Sequence, residues 1–358
     1  MISKINNFLK VFLILFVAVL TSIPVQAANT VQELTFLNWG DYLSPDLQEK
    51  FETKFNAKIR LVTFDSDDNR NSLLLSTEGK NFDVALIDGN SIPSYIRRGW
   101  LTPISENDIP NSKHIIPRWS NAYEGAKEYS VPYFWGTVGI AYRSDLVKSP
   151  ITSWMDILKP AEELQGRIFM FPQSRELVDI GLKALGYSVN TLNDPKAYKE
   201  VKKLLLDQKP YVKKYDNLAV DETSALIKGE ILAATNYSGD ALTLQAINED
   251  ISYIVPSEGS FLWVDYLVVM AKSEKKKLAM DFINFLNSPE NAAEHAEYMY
   301  YATPNAAAEK LLTKEFLDDP YIYPEKDVMD NCEIEVKLPP RVNKTRNLIY
   351  SEVTRGKI

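Results

Sequence analysis

Short apolar stretches of strand length alternate with amphipathic helical stretches in two separate parts of the 358-residue chain. The strand-like stretches of the first part are residues 34–38, 58–64 and 84–87. A helix begins between the first two at Ser44-Pro45, where serine is a favoured cap and proline a favoured first helical residue. Such alternation predicts a parallel sheet with helices on its faces, which is an α/β fold.

The same alternation returns in the second part of the chain. Its strand-like stretches are residues 167–171, 231–235 and 261–270. Helices are predicted from Arg175 to Gly186, over 222–228 and 278–286, and from Ser288-Pro289 onward. The chain is too long for one ordinary core, and no Gly/Ser linker separates the two parts. We therefore expect two α/β lobes connected by short crossings that form a hinge.

The first 27 residues have the three-part order of a secretory signal. Lys4 and Lys10 precede the apolar run of residues 11–20, and Val25-Gln26-Ala27 provides the small residues of a cleavage site. Ten apolar residues are too few to span a bilayer, which needs about 20. We expect cleavage after Ala27 and an exported mature protein in the periplasm.

Composition argues against several classes of function. The net charge of −8 lacks the basic footprint that a nucleic-acid partner requires. Cys332 is the only cysteine, and His114 and His295 lack the clustered spacing of metal ligands. No phosphate-binding glycine loop and no nucleophile-elbow or zinc-protease motif occurs. We expect neither a cofactor nor a resident metal.

Aromatic and acidic residues come together where the predicted strands end. Ligands of open α/β sheets bind outside the carboxyl ends of the strands, so these residues are candidates for one cleft. Aromatic faces and carboxylates together suit an organic cation. Asp265 is the sharpest candidate, because an acid inside an apolar strand is costly without a partner. The full candidate set is Trp39, Asp41, Tyr42, Asp88, Glu176, Tyr237, Asp240, Trp263, Asp265 and Tyr301.

At these residues the chain resembles the periplasmic polyamine-binding proteins, the spermidine- and putrescine-capturing components of ABC importers. The likeness is carried by Asn38-Trp39-Gly40-Asp41-Tyr42, Val131-Pro132-Tyr133-Phe134-Trp135-Gly136, Thr152-Ser153-Trp154, Arg175-Glu176, Trp263-Val264-Asp265 and Thr303-Pro304-Asn305. The resemblance implies two lobes around a cleft and delivery of a polyamine to a transporter permease. The implied lobes are residues 28–136 with 266–308, and 137–265 with 309–358. The crossings would lie near Gly136, Asp265 and Ala308.

The resemblance also assigns roles to the candidate residues. Trp39, Tyr42, Trp263 and Tyr301 match cleft aromatics, and Tyr237 stands where the family usually has Trp. Asp41 and Asp240 match acids of putrescine-type members, whereas Glu176 and Asp265 match carboxylates that contact ammonium groups.

Three positions depart from the family pattern. Asp88 stands where Ser is common, Asn90 where an aromatic or small residue is usual, and Gln173 where spermidine-type members have an acid. The extra acid at Asp88 would suit a third ammonium or a different amine. The role of Glu335 is left open, because the carboxyl-terminal alignment is loose.

Two other functions stay open at this stage. Adjacent tyrosines such as Tyr300-Tyr301 occur in ferric-ion carriers, and hard oxygen ligands suit that ion. An exported glycosidase would use two carboxylates, which sequence alone does not exclude. The tryptophans near the candidate acids favour an organic ligand over a bare ion.

The leader gives the first testable prediction. Protein exported from cells should begin at Ala28, because the apolar run and the small residues that follow it are typical of a cleaved signal. Intact-mass measurement of the exported protein checks this. A mass that still contains residues 1–27 would show that the leader is retained.

Overall fold

The structure, a computed structural model, describes residues 31–356. A single ten-stranded sheet runs through this part of the chain. Its strands are β1 (Gln32–Trp39), β2 (Ala57–Phe64), β3 (Val84–Asp88), β4 (Val131–Arg143), β5 (Ile168–Met170), β6 (Val212–Tyr215), β7 (Ala233–Tyr237), β8 (Ile251–Ile254), β9 (Phe261–Val269) and β10 (Glu333–Ile334). The strand order is β2-β1-β3-β9-β4-β7-β5-β6, while β8 pairs with β4 and β10 with β9.

Helices cover this sheet. They are α1 (Pro45–Phe55), α2 (Asp67–Thr77), α3 (Ile92–Arg97), α4 (Pro117–Ser120), α5 (Ala126–Tyr129), α6 (Met155–Leu158), α7 (Ser174–Ala184), α8 (Pro195–Gln208), α9 (Ser238–Ile247), α10 (Lys276–Leu286), α11 (Pro289–Met299), α12 (Ala306–Glu309), α13 (Lys314–Leu317), α14 (Lys326–Asp330) and α15 (Pro340–Thr354). Short 3-10 helices occupy Gly89–Ser91, Pro110–His114, Glu162–Leu164 and Lys209–Tyr211. Among the described residues, no helix is long and apolar enough to cross a membrane.

The predicted α/β fold is confirmed. Strand β1 pairs in parallel with both β2 and β3, as alternating strands and helices require. Helix α1 begins where the sequence indicated, with Ser44 accepting a hydrogen bond from the Leu47 amide at 3.4 Å and Pro45 in the first turn. The helix ends at Phe55, and the capping residue Asn56 adopts the left-handed conformation with φ 47°.

Two long antiparallel strands, β4 and β9, connect the halves of the molecule. Gly136 of β4 lies opposite Trp263 of β9, and the register shifts between Pro132 and Trp135. A Cβ atom on Gly136 would lie 2.5 Å from Cζ2 of Trp263, so only glycine lets the indole lie across this strand. The crossing strands thus deliver an aromatic ring and the acid two residues later to the junction of the halves.

The buried apolar residues form separate cores on the two sides of this junction. The first core includes Phe282, whose ring contacts those of Phe36 and Phe51. The second core includes Trp154 and Leu177. A smaller third cluster lies beside the second, between β7, α9 and β8. This division fits two lobes, each with helices packed on its part of the sheet.

The proposed lobe boundaries stay predictions. Apolar residues as far along the chain as Ile322 and Cys332 pack in the first core, and Val342 and Ile349 of α15 pack in the second. The buried chain therefore changes core between Cys332 and Val342, later than the Ala308 crossing that the resemblance implied. The predicted signal, residues 1–27, lies outside the residues that the structure describes.

The predicted helix over residues 222–228 is wrong, because this segment forms a series of turns. The Lys228 amide bonds four residues back, to the Ser224 carbonyl at 3.1 Å, but the Gly229 amide bonds three residues back to Leu226 and the Glu230 amide five residues back to Ala225. The four-residue hydrogen-bond ladder of a helix therefore does not continue. The strand predicted at 231–235 is present two residues later, as β7.

Candidate functional site

Acids from adjacent strands meet at the junction of the lobes. Asp88, the last residue of β3, lies directly opposite Asp265 of β9 in an antiparallel register. Residues that face each other across an antiparallel pair point to the same face of the sheet. The β3–β9 pairing therefore brings two candidate acids together from positions 177 residues apart in the printed sequence.

Asp265 is mostly buried and receives a hydrogen bond from the hydroxyl of Tyr42 at 3.1 Å. Burial raises the pKa of Asp265 to about 7; the charge of Asp67 adds to the rise, and the Tyr42 hydrogen bond opposes it. Among the described residues, no basic side chain forms an ion pair with Asp265. The carboxyl group is therefore only partly ionised at neutral pH while the site is empty.

Asp240 is a second acid of the same kind. It lies in the first turn of α9 and accepts a hydrogen bond from the Tyr301 hydroxyl at 3.2 Å. Burial raises the pKa of Asp240 to about 6, and the Tyr301 hydrogen bond opposes the rise. The neighbouring Gly239 permits this contact, because a Cβ there would lie 2.3 Å from the Tyr301 ring.

Aromatic rings fill the space between these two acids. The Trp263 ring contacts Tyr301 edge to face, with centroids 4.8 Å apart, and Tyr237 at 6.3 Å. Tyr301 in turn lies 5.9 Å from Tyr42. The indole Nε1 of Trp263 is buried without a hydrogen-bond partner. We call these four rings, Tyr42, Tyr237, Trp263 and Tyr301, the aromatic box.

Tyr42 is held in place through its backbone. The Nδ2 of Asn38 and the hydroxyl of Tyr133 both donate to the Tyr42 carbonyl, each at 3.0 Å. His295 of α11 accepts a hydrogen bond from the Ser44 amide at 3.2 Å, two residues further on. Burial lowers the pKa of His295 to about 3, so the ring stays neutral and its Nε2 remains an acceptor. No pattern in the sequence connected His295 with the site.

Glu176 enters the cleft from the second lobe at the first turn of α7. Its Oε1 accepts a hydrogen bond from Arg175 at 3.0 Å, while its buried Oε2 has no partner. Arg175 also contacts Glu335, with 3.2 Å between Nε and Oε2. Burial raises the pKa of Glu176 above its ordinary value, and the charge of Arg175 opposes this effect. Glu335 therefore lies at the site, as a partner of Arg175.

Asp88 differs from the other acids because the protein supplies its cation. Arg70 of α2, whose side chain is fully buried, donates to Asp88 at 2.6 Å and to Asp67 at 2.7 Å. Burial raises the pKa of Asp88, but the charges of Arg70 and Arg175 lower it, and the net result lies below the ordinary value. Asp88 is thus a carboxylate that is already paired. Sequence reasoning missed Arg70, although its i,i+3 spacing from Asp67 was visible.

Trp39 and Asp41 lie at the edge of this arrangement. The Trp39 ring packs against Phe64, with centroids 4.4 Å apart, and is half-buried. Asp41 is exposed and has a left-handed backbone with φ 53°. The structure thus links Tyr42, Tyr237, Asp240, Trp263, Asp265 and Tyr301 by direct contacts, and it leaves Trp39 and Asp41 outside these contacts.

The adjacent tyrosines do not form a metal site. Tyr301 is buried in the aromatic box, whereas Tyr300 is 44% exposed and has a left-handed backbone. Neighbouring residues with such different surroundings do not converge on one ion. Within residues 31–356, no group of three or more His, Cys, Asp and Glu side chains has the arrangement that a metal ion needs.

Comparison with known proteins places these features in a family. Residues 46–323 match the model of the bacterial extracellular solute-binding proteins. The chain is 30% identical over 312 residues to the spermidine/putrescine-binding periplasmic protein of Escherichia coli (strain K12), covering 86% of this chain and 87% of that one. It is 31% identical over 352 residues to a norspermidine sensor of Vibrio cholerae, covering 98% and 95%.

A solved structure agrees with these sequence relatives. The spermidine/putrescine ABC transporter substrate-binding protein of Streptococcus pneumoniae superposes with a TM-score of 0.82 at 29% identity, over 91% of this chain and all of that one. Its two-lobed fold is the architecture described above. Fold, matched residues and relatives agree, and the chain belongs to the bacterial extracellular solute-binding protein family.

Proposed function

We propose that this protein captures a polyamine in the cleft between its lobes and delivers it to an ABC importer. One observation carries the proposal: Asp265 and Asp240 are buried beside aromatic rings, and neither has a basic partner among the described residues. An acid in such surroundings is costly unless a cation reaches it. The names of the relatives, which refer to spermidine, putrescine and norspermidine, support a ligand with several amino groups.

The contacts of the two acids suit an ammonium ion. Each carboxylate uses one oxygen to accept a tyrosine hydroxyl, from Tyr42 or from Tyr301, which leaves its other oxygen for the ligand. Burial raises the pKa of both tyrosines well above the ordinary value, so the hydroxyls remain donors. Each charge-assisted bond from an ammonium to a carboxylate is about twice as strong as a neutral one.

The aromatic box suits the remainder of a polyamine. The faces of Trp263 and Tyr237 cover methylene groups and attract the adjacent cationic ends, at about 0.5–2 kcal/mol per ring. The unpartnered Oε2 of Glu176 provides a further acceptor near Tyr237. We assign Asp265 to one end of the ligand and Asp240 with Glu176 to the other.

The remaining candidate residues contribute less to ligand binding in this proposal. Trp39 and Asp41 lie at the rim of the cleft and would contact the ligand only at its edge. Asp88 acts through its pairing with Arg70 and is not an ammonium ligand. A ferric-ion carrier fits less well, because Tyr300 and Tyr301 diverge. The family is one of binding proteins, which argues against a glycosidase.

Location and partner complete the proposal. We infer export to the periplasm through cleavage after Ala27, since the relative from Escherichia coli is named a periplasmic protein. We infer that a permease of the inner membrane receives the ligand, since the structural relative is a transporter component. Uptake of labelled polyamine by cells that lack the protein tests delivery. Unchanged uptake would favour a sensing role, as the name of the Vibrio cholerae relative suggests.

Asp265 is the residue whose loss should damage binding most. Asp265→Ala should weaken polyamine binding by about 2–5 kcal/mol, the usual effect of truncating one partner of a buried charge pair. Asp265→Asn should be nearly as harmful, because it retains the shape and removes the charge. Isothermal titration calorimetry with putrescine and spermidine measures both effects.

Two controls separate binding from folding in this experiment. Asp318→Asn removes an exposed acid of the Lys314 ion pair and should leave affinity unchanged. At about pH 8, Asp265→Asn should raise the melting temperature of the empty protein, because it removes a buried unpaired charge. Parent-like affinity in both Asp265 variants would mean that Asp265 is not a ligand contact.

The raised pKa values predict that affinity depends on pH. Asp265 and Asp240 bind protons below about pH 7 and about pH 6, whereas an alkylammonium stays charged to about pH 10. A ligand cation binds the ionised acids, so binding below pH 7 must release protons. We expect affinity to rise steeply from about pH 5 to about pH 7 and then to level off.

Calorimetry in buffers of different ionisation enthalpy measures this proton release directly. At about pH 6, Asp265→Asn should release about one proton fewer per bound ligand than the parent, since one titrating group is lost. The empty protein should also lose stability as pH rises from about 4 to about 7, because its folded acids hold protons that the unfolded chain has released. Affinity that is constant across this range would contradict the assignment of both acids.

A further inference from the structure

We infer that Arg70 occupies the place of a third ammonium in the cleft, so that the site selects diamines over longer polyamines. This inference rests on the proposed function, and it concerns the choice among amines rather than amine binding itself. Arg70 is a guanidinium built into the protein next to the acid that departs from the family pattern. Its pairing with Asp88 therefore determines whether that carboxylate can bind an ammonium group of the ligand.

The contacts of Asp88 leave no place for an ammonium. Its Oδ2 accepts hydrogen bonds from Arg70 at 2.6 Å and from the Ser91 hydroxyl at 2.5 Å. Its Oδ1 accepts a hydrogen bond from the Ser91 amide at 3.2 Å. A second cation that approached this carboxylate would compete with a fully buried guanidinium and would be repelled by it.

Further contacts hold Arg70 in this position. Its other terminal nitrogen is 2.7 Å from Asp67, and its guanidinium lies 5.5 Å from the centre of the Phe64 ring. Breaking a buried ion pair leaves an uncompensated charge, which is strongly unfavourable. If Arg70 moved out of the cleft, Asp67 and Asp88 would both lose their ion pair with it. The arginine is therefore a fixed part of the site.

The space beyond Asp88 is equally unsuited to a cation. A cavity of about 410 Å³ adjoins Ser91 and Asn90 and extends to the carboxyl-terminal segment. The basic residues that line it are Arg98, Arg175 and Lys337. Its one acidic lining residue, Glu335, is paired with Arg175 at 3.2 Å. A polyamine that extended past Asp265 in this direction would meet positive charge first at Arg70 and again in this cavity.

Arg175 adds positive charge on the same side of the box as Arg70, because it lines this cavity and its charge also acts on Asp88 and Asp67. It donates a hydrogen bond to Glu176, which lies near Tyr237. Among the described residues, no basic side chain forms an ion pair with Asp265 or Asp240, and both acids lie near Tyr301. Two such positions match the two ammonium groups of a diamine.

Competition calorimetry with putrescine and spermidine tests the inference, with the ratio of the two affinities as the readout. The parent should bind putrescine more tightly than spermidine, by about tenfold or more. Arg70→Met makes the local charge of the Asp67, Asp88 and Arg70 group more negative by one and should shift the ratio toward spermidine by about tenfold. Asp88→Ser makes it more positive by one and should shift the ratio further toward putrescine, by about threefold.

The double variant Arg70→Met/Asp88→Ser has the same local charge as the parent and should restore a ratio close to the parental one. Arg60→Met removes an exposed guanidinium of the same lobe, paired with Glu33, and should leave the ratio unchanged. If Arg70→Met fails to show a cooperative melting transition, Asp88→Ser and the double variant decide the question.

The outcomes separate this inference from the proposed function. Failure of the parent to bind any amine would overturn both. A parent that binds spermidine as tightly as putrescine, or variants that all share one ratio, would overturn the role of Arg70 and leave polyamine binding intact.

Discussion

Two buried carboxyl groups, Asp265 and Asp240, neither of which is paired with a basic side chain of residues 31–356, are the feature on which the proposed function depends. Ionising either acid is unfavourable because burial removes much of the surrounding water, which is why their pKa values rise to about 7 and about 6. In the proposed function, a bound cation supplies a partner to each charge. The cost of ionising the acids without that partner would then make the cleft selective for cations over neutral molecules of the same shape.

The strand register of the fold determines where these two acids lie. Strands β4 and β9 cross between the lobes, and their register sets Trp263 over Gly136 and Asp265 opposite Asp88. Gly239 gives Tyr301 room to reach Asp240. A ligand held between groups on both lobes favours the closed arrangement over the open one, because only closure brings both sets of contacts to it.

Local patterns predicted much of this architecture. Strand–helix alternation and the cap at Ser44 predicted the α/β character of the first lobe and the start of α1, since each pattern depends on neighbouring residues in the sequence. The helix predicted over residues 222–228 is absent because the amides of Gly229 and Glu230 bond three and five residues back, and composition does not reveal that change of hydrogen-bond pattern. Acids and aromatics at strand ends predicted six residues that the structure links by direct contacts, and also Trp39 and Asp41, which lie outside those contacts; their role in binding stays a prediction. The pairing of Asp88 with Arg70 and the support of the Tyr42 loop by His295 depend on contacts between distant elements, so the sequence did not disclose them.

The central claim is that the cleft recognises positive charge at both ends of an aliphatic chain. Titration calorimetry of the purified protein with putrescine and with 1,4-butanediol, which has the same four-carbon chain without charge, tests it most directly. The account predicts saturable binding of one putrescine per protein and no measurable heat of binding for the diol. Binding of the diol as tightly as putrescine would contradict it. Binding of ferric citrate, with no binding of putrescine or the diol, would also contradict it.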